Sequence, residues 1–391
     1  MGVEQTKLNG PLERHRCSRC VMDDDADPAI RFDANQVCSY CREWDDLKAN
    51  HVLTADRASS ECKRIVGEIR EAGRGKEYDC VLGISGGVDS TYLAYMAKEL
   101  GLRPLVFHFD NGWNSELAVK NIENICRRLG FHLHTHVVEW DEFRDLHLAY
   151  LKASVIDIEV PTDHAINALG MLTAARIGVR FVLTGCNFAT ESPLPKAWVW
   201  EKMDLLNLRA IQRRYGTKRL KTLPMLGFLK GSYYQVVKRI RFIDLLNFLP
   251  YQKDRAKTTI ERVLGWRDYG GKHYESIFTR FYQGYILPTK FGVDKRKAHL
   301  SSLIRTGQMT RQEALAELSK PPYAAQLLKT DREFVLKKLG LTDERFDEIM
   351  RKPRVEHDQF PSYRKAHYRY HKQLFDLIRP VTRLLKRGAA R

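Results

Sequence analysis

Between about residues 79 and 185, short β-branched apolar runs alternate with longer stretches of helical period. The runs are DCVLGI, PLVFHF, HLHTHVV and RFVLTG, and VDSTYLAYMAKELG, SELAVKNIENICRRLG and HAINALGMLTAARIG lie between them. Strands alternating with helices of this length predict βαβ units and a parallel sheet, an α/β fold. Right-handed crossovers then bring the C-terminal ends of the strands to one edge, where ligands of such sheets bind. Upstream, residues 53–72 predict a connecting helix with Cys62, Ile65, Val66 and Ile69 on one face, ended by Gly73 and Gly75. After residue 189 the alternation weakens and charge rises, although Thr310 and Glu313 form the T-x-x-E box that opens a helix. From 361 to 391 nine Lys or Arg accompany a single acidic residue, Asp376, with Leu374, Leu377, Ile378, Val381, Leu384 and Leu385 at helical spacing.

A chain of 391 residues accommodates two or three domains. No apolar run is long enough to span a bilayer; the best, FIDLLNFL, is short and contains Asp244. The N-terminal residues lack a secretory apolar region, so a cytoplasmic protein is expected. The net charge of +17 implies an acidic partner, whether nucleic acid, sugar nucleotide, phosphates or an anionic membrane, without choosing among them.

The chemistry concentrates at the end of the first strand, in YDCVLGISGGVDSTYL. Gly86 and Gly87 allow backbone N–H groups to close on an anion, and the following helix points its positive end at the same place. Ser85 and Ser90 add hydroxyls, and Asp89 offers a carboxylate to a metal ion. No Lys follows Gly87, so this is not a Walker A loop. Asp110 and Gly185 end two further strands on the same edge. Cys17-x-x-Cys20 and Cys38-x-x-Cys41 have the spacing of a zinc ribbon, a closed structural Zn2+ site, with an iron–sulfur cluster the alternative for the same ligands. The row His132, His134 and His136 reads as half-buried strand, and Cys126 and Cys186 read as core positions. Glu191, Lys196, Trp198 and Trp200 are candidates for substrate contacts after the fourth strand. Lys272 and His273, in GGKHYES, can hold an anion and move a proton; Lys290, Lys295, Arg296 and Lys297 form a cation cluster suited to pyrophosphate.

Ser85-Gly86-Gly87-Val88-Asp89-Ser90 resembles the SGGxDS motif of the PP-loop ATP pyrophosphatases. That resemblance implies a loop that binds the β- and γ-phosphates of ATP, release of AMP and pyrophosphate, and adenine against the backbone of Phe109 and Asp110. Together with HFDNGW, TGCNF, GGKHYES and VDKRKAHLSSLI after the four cysteines, the chain resembles N-acetyl sugar amidotransferases from about residue 17 to about 318. It implies an ATP- and Mg2+-dependent conversion of an N-acetyl group to an acetamidino group on a UDP-linked sugar, a uronic acid, in bacterial O-antigen synthesis. Ammonia would come from partners similar to glutaminase and cyclase subunits, with no stable nucleic-acid partner. The expected nucleotide site is Ser85, Gly86, Gly87, Asp89, Ser90, Phe109, Asp110 and Gly185; the expected catalytic groups are Asp89, Asp110, Lys272 and His273; the metal site is Cys17, Cys20, Cys38 and Cys41. The expected segments are the ribbon (1–50), a helical connector (51–75), the PP-loop domain (76–250), a mainly helical substrate or partner region (251–360) and the basic tail (361–391). A tRNA-thiolating PP-loop enzyme and a zinc-ribbon nucleic-acid-binding protein are the alternatives.

Overall fold

The computed structural model describes residues 15–25, 27–50, 55–191, 194–271 and 273–364. The last of the four cysteines, Cys41, lies in α1 (Ser39–Asn50), and α2 (Ala55–Ala72) follows as the expected helix, with Cys62, Ile65, Val66 and Ile69 buried. The sheet unit follows as β1 (Cys80–Gly83), α3 (Val88–Glu99), β2 (Pro104–Asp110), α4 (Glu116–Leu129), β3 (Leu133–Val137), α5 (Trp140–Ala153), α6 (Val160–Ile177) and β4 (Phe181–Leu183). It continues through α7 (Phe188–Glu191), α8 (Leu205–Tyr215) and α9 (Phe228–Val236) to β5 (Arg241–Ile243). Among the described residues the five strands form one parallel sheet in the order β3-β2-β1-β4-β5. The α/β expectation and its four strands hold; β5, an edge strand in a charged stretch, adds a fifth.

Alternation along the central strands builds two cores. Val81, Phe107, Phe109 and Val182 face α5 and α6, while Cys80, Leu82, Val106 and Phe181 face α2, α3 and α4. The second face is closed by α10 (Lys253–Leu264). The first is extended by α11 (Ile277–Phe281), a π-turn at Tyr282–Ile286, α12 (Leu287–Phe291), α13 (Arg296–Arg305), α15 (Ala325–Leu339) and α16 (Asp343–Arg351), while α14 (Arg311–Ser319) packs with Val21 and Leu300 in a small third cluster. Phe278, Phe281, Tyr282, Leu336 and Phe346 belong to the same buried cluster as Val81 and Phe107. From α11 to α16, all but α14 therefore share the core on that face of the sheet. The capping box at α14 forms as expected, Thr310 N–H donating to Glu313 at 2.7 Å and Glu313 N–H to Thr310 Oγ1 at 3.2 Å. Among the described residues no helix is long and apolar enough to cross a membrane.

Candidate active site at the sheet edge

The turn after β1 has the geometry its glycines permit. Gly86 takes φ +86°, a left-handed value, and Gly87 precedes α3 without any side-chain cap, which leaves the first N–H groups of that helix to a ligand. Ser90 Oγ lies 3.2 Å from both the Ser85 N–H and the Ser85 hydroxyl and donates to the Gly87 carbonyl at 3.2 Å. The Gly87 N–H in turn donates to Ser85 Oγ at 3.3 Å, so the two serines brace the turn. Gly185 is required where β4 ends: a Cβ there would stand 2.9 Å from Ser90 N and 3.0 Å from Ser90 Cα. Such a cradle of uncapped donors fits a polyphosphate.

Three residues not singled out from the sequence hold this turn from behind. Trp266 Nε1 and the Tyr269 hydroxyl donate to the Gly86 carbonyl at 2.7 and 2.8 Å, and the Asn121 amide donates to Tyr269 at 3.0 Å and to the Arg267 carbonyl at 2.8 Å. The signal for Trp266 and Tyr269 was the aromatic density of the stretch that begins at Gly265; Asn121 carried none.

The GGKHYES segment lies on the cradle. A Cβ on Gly87 would meet Glu275 Oε1 at 3.3 Å, and His273 Nδ1 is 3.6 Å from that oxygen. His273 adopts φ +63° and its ring sits 5.7 Å from that of His299 on α13. Glu275 was quoted within the motif but not assigned a role; the structure makes it the carboxylate against the phosphate turn. Lys272 lies outside the described residues. HFDNGW meets the same segment, since Ser115 N–H donates to the Glu275 carbonyl at 2.9 Å and Ile277 N–H to the Trp113 carbonyl at 2.9 Å. His299 Nδ1 is 3.3 Å from the Thr190 carbonyl, just after TGCNF. The motifs scattered through the chain therefore converge on one edge of the sheet.

Several candidates are placed differently. Asp110 Oδ1 accepts from Gly112 N–H at 2.8 Å and from the Asn114 amide at 3.1 Å, so this carboxylate shapes its own turn. Phe109 is buried between Phe143 and His136, which leaves only its backbone toward the edge. Asp89 accepts a hydrogen bond from the Tyr251 hydroxyl, whose pKa is pushed up by burial and then by that carboxylate. A cleft of about 380 Å3 opens beside Tyr251, with Arg255 and Arg305 in its wall. Trp198 and Trp200 are buried; Trp200 stacks on His357 at 4.9 Å and is core rather than lid. The cation cluster disperses: Lys290 donates to the Ile349 carbonyl, Arg296 pairs with Asp294, and Lys297 pairs with Asp23. Lys295 stays at the edge, 4.0 Å from Glu159, which also accepts from Gln283 at 3.0 Å. Cys126 is buried as expected, and burial pushes its thiol up to about 12; Cys186, read as a core position, is instead exposed just past the end of β4.

The four ribbon cysteines are buried, unbridged thiols whose sulfurs all lie within 4.8 Å of one another. Cys17 and Cys41 are 3.9 Å apart and Cys20 and Cys38 are 3.7 Å apart. A tetrahedron with Zn–S bonds of about 2.3 Å has edges of about 3.8 Å, so the donors fit one tetrahedral ion. An iron–sulfur cluster, with several atoms between its thiolates, would need them farther apart. Among the described residues the three strand histidines join no such group.

Residues 275–374 match the family described as LPS biosynthesis protein WbpG-like, C-terminal domain. That segment begins at Glu275 and carries the whole of α13. An uncharacterized protein of Methanocaldococcus jannaschii is 22% identical over 325 residues, 82% of this chain and 99% of that protein. The tRNA(Ile)-lysidine synthase of Chlamydia pneumoniae is 40% identical over 70 residues, 17% of this chain and 22% of the synthase. Among solved structures, NMN synthetase from Francisella tularensis covers 74% of this chain and 98% of its own at 14% identity and a TM-score of 0.30.

Proposed function

We propose that the chain is a PP-loop ATP pyrophosphatase that converts the N-acetyl group of a UDP-linked sugar to an acetamidino group for lipopolysaccharide synthesis. One observation carries this reading: the uncapped Ser85–Ser90 turn is faced by His273 and Glu275, and the segment matched to lipopolysaccharide biosynthesis starts at Glu275.

An amide oxygen is a poor leaving group until it is phosphorylated. In the proposed sequence that oxygen attacks the α-phosphorus of ATP and pyrophosphate departs. The developing charge on pyrophosphate is met by the N–H groups of Gly86, Gly87 and the first turn of α3, with the Ser85 and Ser90 hydroxyls. Glu275 and Asp89 would hold Mg2+, which when bound neutralises phosphate charge. Ammonia then adds to the imidate carbon, AMP leaves with the former amide oxygen, and His273 takes the proton that ammonia loses. Lys295, the residue that caps α13 one turn before His299, would meet the carboxylate of a uronic acid in place of Glu159.

Ammonia is assigned to a separate glutaminase. Cys126 is buried in the core with its thiol pushed up to about 12, and Cys186 lies in GCNFA without the second glycine of a nucleophile elbow, so neither suits a glutaminase nucleophile. The test is turnover by the purified chain with either nitrogen source. AMP and pyrophosphate should form with ammonium and an N-acetylated nucleotide sugar and not with glutamine. Glutamine-driven turnover by the chain alone would remove the separate glutaminase.

A further inference from the structure

The helix α9 carries an apolar face that none of the described residues covers. None of its nine residues is buried. Leu229 is 81% exposed, Tyr233 46%, Val236 54% and the adjoining Val237 62%, and these positions at i, i+4, i+7 and i+8 share one side of the helix. They make up four of the nine large hydrophobic residues exposed among the described residues, so the apolar surface is gathered here.

The surroundings carry one sign of charge. From Arg213 to Arg241 there are nine Lys or Arg and no Asp or Glu, and all nine are exposed. Lys230 lies within α9, and Lys238 and Arg239 follow it directly. The Tyr363 ring stands 6.2 Å from that of Phe228, the first residue of α9. Beyond Arg364 the basic tail, which lies outside the described residues, carries eight Lys or Arg against Asp376.

We propose that α9 and its basic flanks dock the protein on an anionic lipid surface. Aliphatic tips enter the interface while long cationic side chains reach the headgroups, and stable attachment needs both signals together. RNA fits less well, because unpaired bases stack on aromatic rings and gain little from Leu229, Val236 and Val237. A second copy of this chain would bring a second positive surface against the first. The inference is independent of the reaction at the sheet edge.

Flotation of the full-length protein with vesicles tests it. Binding to phosphatidylcholine vesicles containing phosphatidylglycerol should exceed binding to phosphatidylcholine alone by about tenfold or more, and should fall with added salt. The double variant Leu229→Glu, Val237→Glu should lose at least about tenfold of that binding while keeping its melting temperature and its ATP turnover in solution. Lys238→Gln with Arg239→Gln should lower binding to the anionic vesicles only. Equal flotation of the double variant and the wild type would overturn the assignment to α9. Indifference of the wild type to lipid charge would overturn the lipid surface itself. So would wild-type dimers that the double variant converts to monomers without any vesicle binding.

Discussion

Gly185 stands where the end of β4 touches the start of α3, and a single methyl group there would press on Ser90 N and Cα. Gly185→Ala should therefore push the serine out of the phosphate turn and weaken MgATP binding about tenfold or more, as read by nucleotide titration. Unchanged affinity would remove Gly185 from the site. His273→Ala should behave differently. It leaves the turn intact, so nucleotide binding persists, and turnover falls about a hundredfold or more with loss of the acceptor for the ammonia proton. The serines and glycines of the turn were legible in sequence because their work is done by local backbone. Trp266 was not, because it reaches the Gly86 carbonyl from 180 residues away. Lys290, Arg296 and Lys297 misled for the related reason that neighbours in sequence point to different partners once on α12 and α13.

The helix α13 joins the ribbon to the site through two faces. Lys297 donates to both Asp23 oxygens at 2.7 Å, Ser301 accepts from Val21 N–H at 3.3 Å and Arg305 lies 3.9 Å from the Cys20 sulfur. The other face carries Lys295, His299 and Thr306, whose hydroxyl reaches the Ala189 carbonyl at 3.3 Å. Asp23 is 1% exposed, so Lys297→Met removes a cation that pairs with this buried carboxylate at 2.7 Å. The variant should lose roughly 2–3 kcal/mol of stability and part of its bound metal. Thermal melting and metal content measure the two; a variant that melts with the wild type would show that the ribbon is not seated through this pair. The four-cysteine cluster and α13 could each be found from sequence, since thiol spacing and a motif mark them. Their mutual contact could not, because it depends on the fold closing residue 23 onto residue 297. Trp198 and Trp200 show the same limit: flanked by charge they read as substrate contacts, yet both pack into the core.

At the scale of the whole molecule, buried imidazoles link stability to acid. Burial pushes His147 down to about 3 and, as the largest cause, His357 down to about 4. In the unfolded chain both titrate near 6.5, so below that pH the unfolded state binds more protons and stability falls; above it these groups contribute no slope. With both acting, the loss is about 2–3 kcal/mol per pH unit between about pH 6 and pH 4. Urea unfolding at about pH 7 and about pH 5 should show the lower midpoint at the lower pH, and equal midpoints would mean that these rings are hydrated in the fold. The parallel sheet was legible because buried strands and amphipathic helices leave different periods. The shared core of the sheet and most helices after residue 250 was not, because composition shifts mark a boundary where packing has none. That shared core is what brings Glu275 and His273 over the phosphate turn, and the proposed chemistry depends on it. The most direct measurement is the mass of the sugar recovered after incubation with ATP, Mg2+, ammonium and a UDP-linked N-acetylated uronic acid. A product lighter by the difference between O and NH, formed with matching AMP and pyrophosphate, is the expected result. An unchanged sugar, with AMP appearing only when tRNA is supplied, would contradict the account.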